Sequence, residues 1–228
     1  MMRRLDALNA IYGELEDAIV VTIMGAVAAE LQSIGHRPNF FYLQHAMGLA
    51  SSMGLGIALA QPERPVVVID GDGSLLMNLG TLTTIARYAP PNLTHIVFDN
   101  ESLLSVGGFP TATSTGTDLA AIARGAGIGR SKMVNELDEF TAAAREDMAS
   151  GEVSCLVAKV EDVGPASFHM DLHLLENRFE FARALRVGEP GDETPPRPAP
   201  REPGEQTDEP TVAADEHPDP GPETTTST

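Results

Sequence analysis

Two stretches decide the fold: Val66–Gly80, VVVIDGDGSLLMNLG, and His95–Ser102, HIVFDNES. In each, an unbroken apolar run rich in β-branched residues stops at acidic or amide side chains. Runs of that length without alternation read as strands buried on both faces, the signature of a parallel sheet. In the first stretch the strand gives way to Gly71-Asp72-Gly73, and the glycines permit a tight turn and close approach of a ligand to the backbone. A helix beginning just beyond presents free N–H groups, which favour a phosphate. A carboxylate beside a phosphate repels it unless a cation lies between. Mg²⁺ suits that place, because it takes oxygen ligands from one or two carboxylates and from phosphates. Asp99, at the end of the second strand, offers another oxygen, and the carbonyl of Glu101 a third. Gly-Asp-Gly alone is a common turn; its weight comes from the pairing with a second strand that ends in Asp-Asn.

Outward from these strands the chain alternates between two periods. Leu5, Leu8, Tyr12 and Leu15 recur at helical spacing, and Ala18–Met24 is a second buried strand. A helix over Ala26–Ser33, a strand over Phe40–Leu43 and a small-residue helix over Ala46–Ala60 follow. Strands over Pro65–Asp70 and Thr94–Asp99 bracket a helix over Leu76–Tyr88. A loop rich in Gly, Ser and Thr covers Glu101–Gly116. Beyond it come a helix from Thr117 to Gly125 capped by Thr117, a strand over Arg130–Val134, a helix over Glu136–Ser150, a strand over Val153–Val160 and a last helix over Asp171–Leu185. Strictly alternating strands and helices predict an α/β fold: a doubly wound, mainly parallel sheet with helices on both faces. Ligands in such sheets bind at the carboxyl ends of the strands.

Composition sets the limits. Of the 228 residues, 42% are hydrophobic, enough for a packed core in residues 1–187. Residues 188–228 hold ten prolines and no aromatic residue, with 11 acidic side chains against 2 basic ones. Such a segment cannot bury enough apolar surface to offset its ordering entropy, so a disordered acidic tail is expected. The net charge of −18, half of it in that tail, argues against nucleic acid as a partner. The apolar run Ala46–Ala60 is too short and too rich in Gly and Ser to span a bilayer, and no leader pattern opens the chain, so a cytoplasmic protein is expected. Cys155, the single cysteine, lies in an apolar run and reads as a buried strand thiol. His169 and His173 read as surface residues, and Glu14, Glu16 and Glu30 as solvated helix faces.

The stretch Gly71–Asn100 resembles the signature of thiamine-diphosphate (ThDP) enzymes, in which GDG is followed at a set distance by an amide pair. Asp72 and Asp99 are 27 residues apart, which matches the interval of the decarboxylase branch. Asp99 departs from the pattern, since Asn is commonest there. A carboxylate still ligates Mg²⁺, at the cost of added negative charge. FFYLQHAMGLASSMGLGIALA, Phe40–Ala60, is similar to the family's segment before GDG. GGFPTATS, Gly107–Ser114, resembles an element of sulfopyruvate and phosphonopyruvate decarboxylases. The resemblance implies Asp72, Asp99 and the backbone of Glu101 as the Mg²⁺ site. It implies Gly71, Gly73, Ser74 and Asn100 on the diphosphate side, with Gly25 and Ala26 on a second diphosphate loop. Met47 falls where a bulky apolar side chain props the bent cofactor, and the backbone near His45 falls beside the aminopyrimidine ring. The side chain of His45 otherwise reads as a capping or packing histidine and that of Glu101 as a solvated loop carboxylate, while Ser105, Thr111, Thr113 and Ser114 read as ordinary loop residues.

The family also needs a glutamate that activates the aminopyrimidine ring, and it belongs to a separate pyrimidine-binding domain. Residues 1–187 have room for one α/β domain only. The resemblance therefore implies a pyrimidine-binding α subunit on another chain, an α/β hetero-oligomer, and an active site at their interface. The implied reaction is decarboxylation of a small anionic 2-oxo acid, sulfopyruvate or phosphonopyruvate. A ThDP-dependent carboligase and a non-catalytic ThDP-binding subunit are the alternatives. A ferredoxin-linked oxidoreductase needs iron–sulfur clusters, which one cysteine cannot ligate.

Overall fold

The computed structural model describes residues 1–186; the expectations for residues 188–228 lie outside them. Six strands form one parallel sheet: β1 (Ile19–Thr22), β2 (Phe40–Tyr42), β3 (Val66–Gly71), β4 (Leu93–Asp99), β7 (Arg130–Val134) and β8 (Ser154–Lys159), in the order β2-β1-β3-β4-β8-β7. Every pairing within it is parallel. Residues of β1, β3, β4 and β8 are buried almost without exception, as continuous apolar strands between two helical layers must be. On one side α1 (Arg4–Ile11) packs against α2 (Ala26–Ile34) and α7 (Leu137–Ala149). On the other, α3 (Ala50–Ala60) packs on α5 (Gly80–Tyr88), and α5 on α6 (Leu119–Ala126). The helix α8 (Leu174–Arg186) lies against the edge strand β2.

The small-residue composition of α3 has a packing reason. A Cβ on Gly54 would stand 2.1 Å from Cγ2 of Val68 on β3, so helix and sheet meet more closely than any side chain allows. The chain leaves β1 toward β2 and then crosses back to β3, so the sheet reverses direction at β1. The crevice outside the carboxyl ends of β1 and β3 is the topological switch point, where ligands of open α/β sheets bind.

Several expected elements differ in detail. The first helix stops at Ile11, and Leu15 is buried from a turn instead. The helix expected from Ala46 starts at Ala50, because His45 and Gly48 have positive φ angles of 51° and 82° that no helix accommodates. The helix expected over Leu76–Tyr88 is two pieces: α4 (Asp72–Leu76), which starts at the Asp of GDG itself, and α5. The cap of α6 is Asp118, not Thr117; its carboxylate accepts a hydrogen bond from the N–H of Ala121 at 2.8 Å. Within the expected loop, β5 (Ser102–Leu103) and β6 (Phe109–Pro110) pair as a short antiparallel hairpin.

Glu30 also corrects its sequence reading. It is buried rather than solvated, and Arg4 donates to both its oxygens at 2.8 and 3.1 Å. This pair joins α1 to α2, which lies directly behind the switch-point crevice. His169 and His173 are exposed and Cys155 is buried, as read from the sequence.

Candidate cofactor and metal site

A cleft opens at the switch point. From the end of β1 come Ile23, Met24, Ala26 and Val27; from the end of β3 come Gly71, Asp72, Gly73 and Ser74; Arg4, Met47, Asn100 and Ser105 are also part of its wall. Residues separated widely in sequence thus meet because three parallel strands end on one edge. Gly25, the N-cap of α2, has a φ of 82°, and a Cβ there would stand 2.8 Å from Oγ of Ser105. Its position demands glycine on both counts. Ser74 is buried, and its Oγ accepts from the N–H of Gly48 at 3.0 Å, tying the segment that carries Met47 to α4.

Asp72 and Asp99 are both buried, at the ends of adjacent strands. One hydroxyl lies against both: Oγ1 of Thr113 is 3.2 Å from Oδ2 of Asp72 and 2.8 Å from Oδ1 of Asp99. Thr111 donates a second hydrogen bond to Asp72 and lies 2.8 Å from Thr113. Asp99 is held further by the N–H of Glu101 at 3.1 Å and by Nζ of Lys159 at 3.0 Å. Burial pushes the Asp72 carboxyl up to about 6; the Thr111 hydrogen bond opposes this and the neighbouring Asp99 adds to it. Lys159 shifts up: burial disfavours its charge, but hydrogen bonds to Glu101 and Asp99 outweigh that cost.

The remaining candidates fall into place unequally. Met47 and Asn100 line the cleft, and Asn100 donates from Nδ2 to Asp162 at 3.0 Å. His45 is exposed and does not line it; its N–H points at Sδ of Met24, 3.1 Å away, and Met24 does line it. The side chain of Glu101 is exposed and turned to Lys159, while its backbone has a φ of 62°. His45 and Glu101 are the two positions where the family resemblance implies a backbone role, and both sit in the left-handed region disfavoured for side chains. The third such residue, Ala89, ends α5, where that conformation is ordinary.

Thr111, Thr113, Lys159 and Asp162 are participants that residue-by-residue reading passes over. The two threonines carried one signal, their position just after the metal loop. Lys159 and Asp162 carried none, since nothing in an apolar strand's last residues announces which neighbour they will face.

The donor set fits a hard divalent cation. Two buried carboxylates share a hydroxyl, and burial holds the proton of one of them, Asp72, more tightly than usual; the carbonyl of Glu101 accepts from the N–H of Thr111 at 2.9 Å and keeps a second lone pair. Among the described residues, no cluster of three or more His, Cys, Asp or Glu side chains is arranged to hold a metal by itself. A hard cation held by two carboxylates completes its shell with other oxygens, such as phosphates and water.

Fold and cleft together define a parallel α/β domain with a ligand-sized cleft at the carboxyl edge of its sheet. The chain belongs to the thiamine pyrophosphate enzymes: residues 22–158 match the family's C-terminal TPP binding domain. It is 43% identical to sulfopyruvate decarboxylase subunit beta of Methanothermobacter thermautotrophicus, over 60% of this chain and 74% of that one. The Methanocaldococcus jannaschii subunit beta is 33% identical over 81% of this chain and 97% of its own length. Phosphonopyruvate decarboxylase of Streptomyces viridochromogenes is 43% identical, over 64% of this chain but 37% of that protein. The solved benzoylformate decarboxylase of Polynucleobacter necessarius shares the fold, with a TM-score of 0.57 at 20% identity, over 71% of this chain and 33% of that one. The chain thus spans most of the sulfopyruvate decarboxylase beta subunits and about a third of the phosphonopyruvate and benzoylformate decarboxylases. The expected family and fold are borne out.

Proposed function

We propose that this chain is the cofactor-binding β subunit of a ThDP- and Mg²⁺-dependent decarboxylase, acting in the cytoplasm on sulfopyruvate, phosphonopyruvate or a similar small anionic 2-oxo acid. The observation that carries this reading is the pair Asp72 and Asp99, buried side by side at the strand ends beside the switch-point cleft. The length match to subunits named beta supports the division into two chains.

When bound, ThDP supplies the electron sink that decarboxylation of a 2-oxo acid needs. The chain's own residues would hold and orient it. Asp72, Asp99 and the carbonyl of Glu101 would ligate Mg²⁺, and the glycines at 25, 71 and 73 would let the diphosphate reach the backbone. Met47 would support the cofactor's bend. Thr111 and Thr113 keep the two carboxylates in place before the metal arrives.

Two features favour an incoming α subunit, for which a pyrimidine-binding domain is proposed. Arg4 is the one basic residue lining the cleft among the described residues, and it is committed to Glu30. An anionic substrate would then take its counter-charge from elsewhere. Leu49, Met77, Val106 and Phe109 expose large apolar side chains on the segments that flank the cleft. An incoming subunit that covers the cleft would bury them. The test is co-expression with the partner and an aldehyde assay across 2-oxo acids, with ThDP and Mg²⁺ saturating. Aldehyde and CO₂ from an anionic 2-oxo acid are expected; a condensation product without free aldehyde would overturn the decarboxylase reading.

A further inference from the structure

We infer that Lys159 is a built-in counter-ion that makes Asp99 behave toward the metal as the amide usual at that position would. The inference rests on the Mg²⁺ reading of Asp72 and Asp99. It begins with an electrostatic difficulty. Asp99 is fully buried next to a second buried carboxylate, and a diphosphate brings further negative charge to the same place. An asparagine there would present one oxygen and no charge. An unscreened aspartate would hold the cation more strongly but repel the cofactor.

The structure resolves the difficulty by register. Asp99 and Lys159 are paired residues at the ends of β4 and β8. The N–H of Val160 donates to the carbonyl of Asp99 at 3.0 Å, which fixes the backbone from which the lysine stem departs. Nζ lies 3.0 Å from Oδ2 of Asp99, and the lysine side chain is only 19% exposed. Its other carboxylate partner is Glu101, so the same ammonium ties down the residue whose carbonyl is the third candidate ligand. Oδ1 of Asp99 faces Thr113, the hydroxyl shared with Asp72. One oxygen of Asp99 is therefore spent on the lysine, and the other is turned to the shared site. Together Asp99 and Lys159 present one oxygen and no net charge, which is what an amide presents. Lys159 is a positioning residue: it acts on the metal through Asp99 and Glu101.

The lysine and the aspartate should consequently be exchangeable only as a pair. Binding of Mn²⁺, an oxygen-seeking stand-in for Mg²⁺, can be measured by electron paramagnetic resonance on the full-length chain with saturating ThDP. In D99N the ammonium keeps Glu101 as partner and competes with the cation for the single amide oxygen, and Mn²⁺ affinity should fall 10- to 100-fold, the usual effect of disturbing a ligand's supporting partner. Adding K159M to D99N should restore affinity to within about twofold of the natural chain, the ordinary error of additivity. K159R keeps the charge and should bind Mn²⁺ like the natural chain. A lysine that serves only to stabilise the fold cannot rescue D99N by its removal. Should K159M alone fail to fold, the double variant and K159R still decide the matter. A double variant no better than D99N overturns the counter-ion role and leaves the metal site standing. ThDP-dependent Mn²⁺ binding that is absent from the natural chain overturns the metal reading, and the counter-ion with it.

Discussion

Asp72 is the residue on which the site turns. Its carboxyl ionises near pH 6 rather than at its ordinary 3.8, because it is buried near Asp99 with hydroxyls but no cation as partners. The folded chain therefore holds this proton more tightly than the unfolded one. Without metal, its ionisation destabilises the fold progressively as pH rises from about 3.8 to about 6. A cation that needs the carboxylate must displace that proton. Mg²⁺-dependent ThDP binding should weaken as pH falls through 6, and calorimetry in two buffers should show proton release on binding below that pH. Asp72→Ala should abolish Mg²⁺-dependent ThDP binding; unchanged affinity would show that the clamp is assigned to the wrong carboxylate. Glu101 makes a second test. Its backbone is left-handed at a φ of 62°, which costs a side chain about 1–2 kcal/mol, whereas its contact with Lys159 is partly exposed and worth little. Glu101→Gly should raise stability by about 1 kcal/mol in urea unfolding. It should lower Mn²⁺ affinity by no more than a few-fold, through the lost tie to Lys159, since the backbone carbonyl is the expected ligand. A large loss of affinity would assign the role to the side chain.

Within the elements, the central strands carry a polar group that their apolar sequence does not advertise. His95 on β4 is fully buried, with Nε2 3.3 Å from Oδ2 of Asp70 on β3 and Cys155 of β8 as its register partner. Burial alone pulls the imidazole pKa down, but the hydrogen bond to Asp70, with Cys155 adjacent, outweighs it and pushes the value up to about 10. A folded-state pKa above the ordinary 6.5 means stability that is fully present below pH 6.5 and lost as pH rises toward 10. His95→Leu strands Asp70 as a buried carboxylate without its cation and should cost about 3–5 kcal/mol at neutral pH. The gap between variant and natural chain should shrink on approaching pH 10. A gap that is constant from pH 6 to 10 would show that the imidazole is neutral throughout.

For the molecule as a whole, the decisive expectation is dependence on a partner. On the proposed reading the residues of this chain serve the metal, the diphosphate and the cofactor's shape, and the activating glutamate is expected elsewhere. The purified chain should bind ThDP weakly and turn over no substrate alone. Adding the α subunit should raise both affinity and rate, since a ligand bound across an interface also stabilises that interface. Full turnover by this chain alone would place the activating acid within it. The segment after Val187 is expected to be dispensable: truncation there should leave the melting temperature and the activity of the complex unchanged, and a marked drop in either would show that the acidic tail docks.

Much of this was legible in the chain itself. Continuous β-branched runs can be buried only between two layers, so the parallel sheet followed from the strands' own composition. Asp72 and Asp99 were legible for a related reason: strand ends on one edge of a parallel sheet must converge. The site's supporting contacts were not. Glu30 looked like a solvated helix residue until Arg4, 26 positions away, proved to bury it. Lys159 met Asp99 through the register of two strands 60 residues apart. The hairpin of β5 and β6 brought two unremarkable threonines onto the carboxylates. Period and composition report how a residue meets water, which local sequence determines. Which charge faces which depends on register and crossover, and those are decided only when the whole sheet closes.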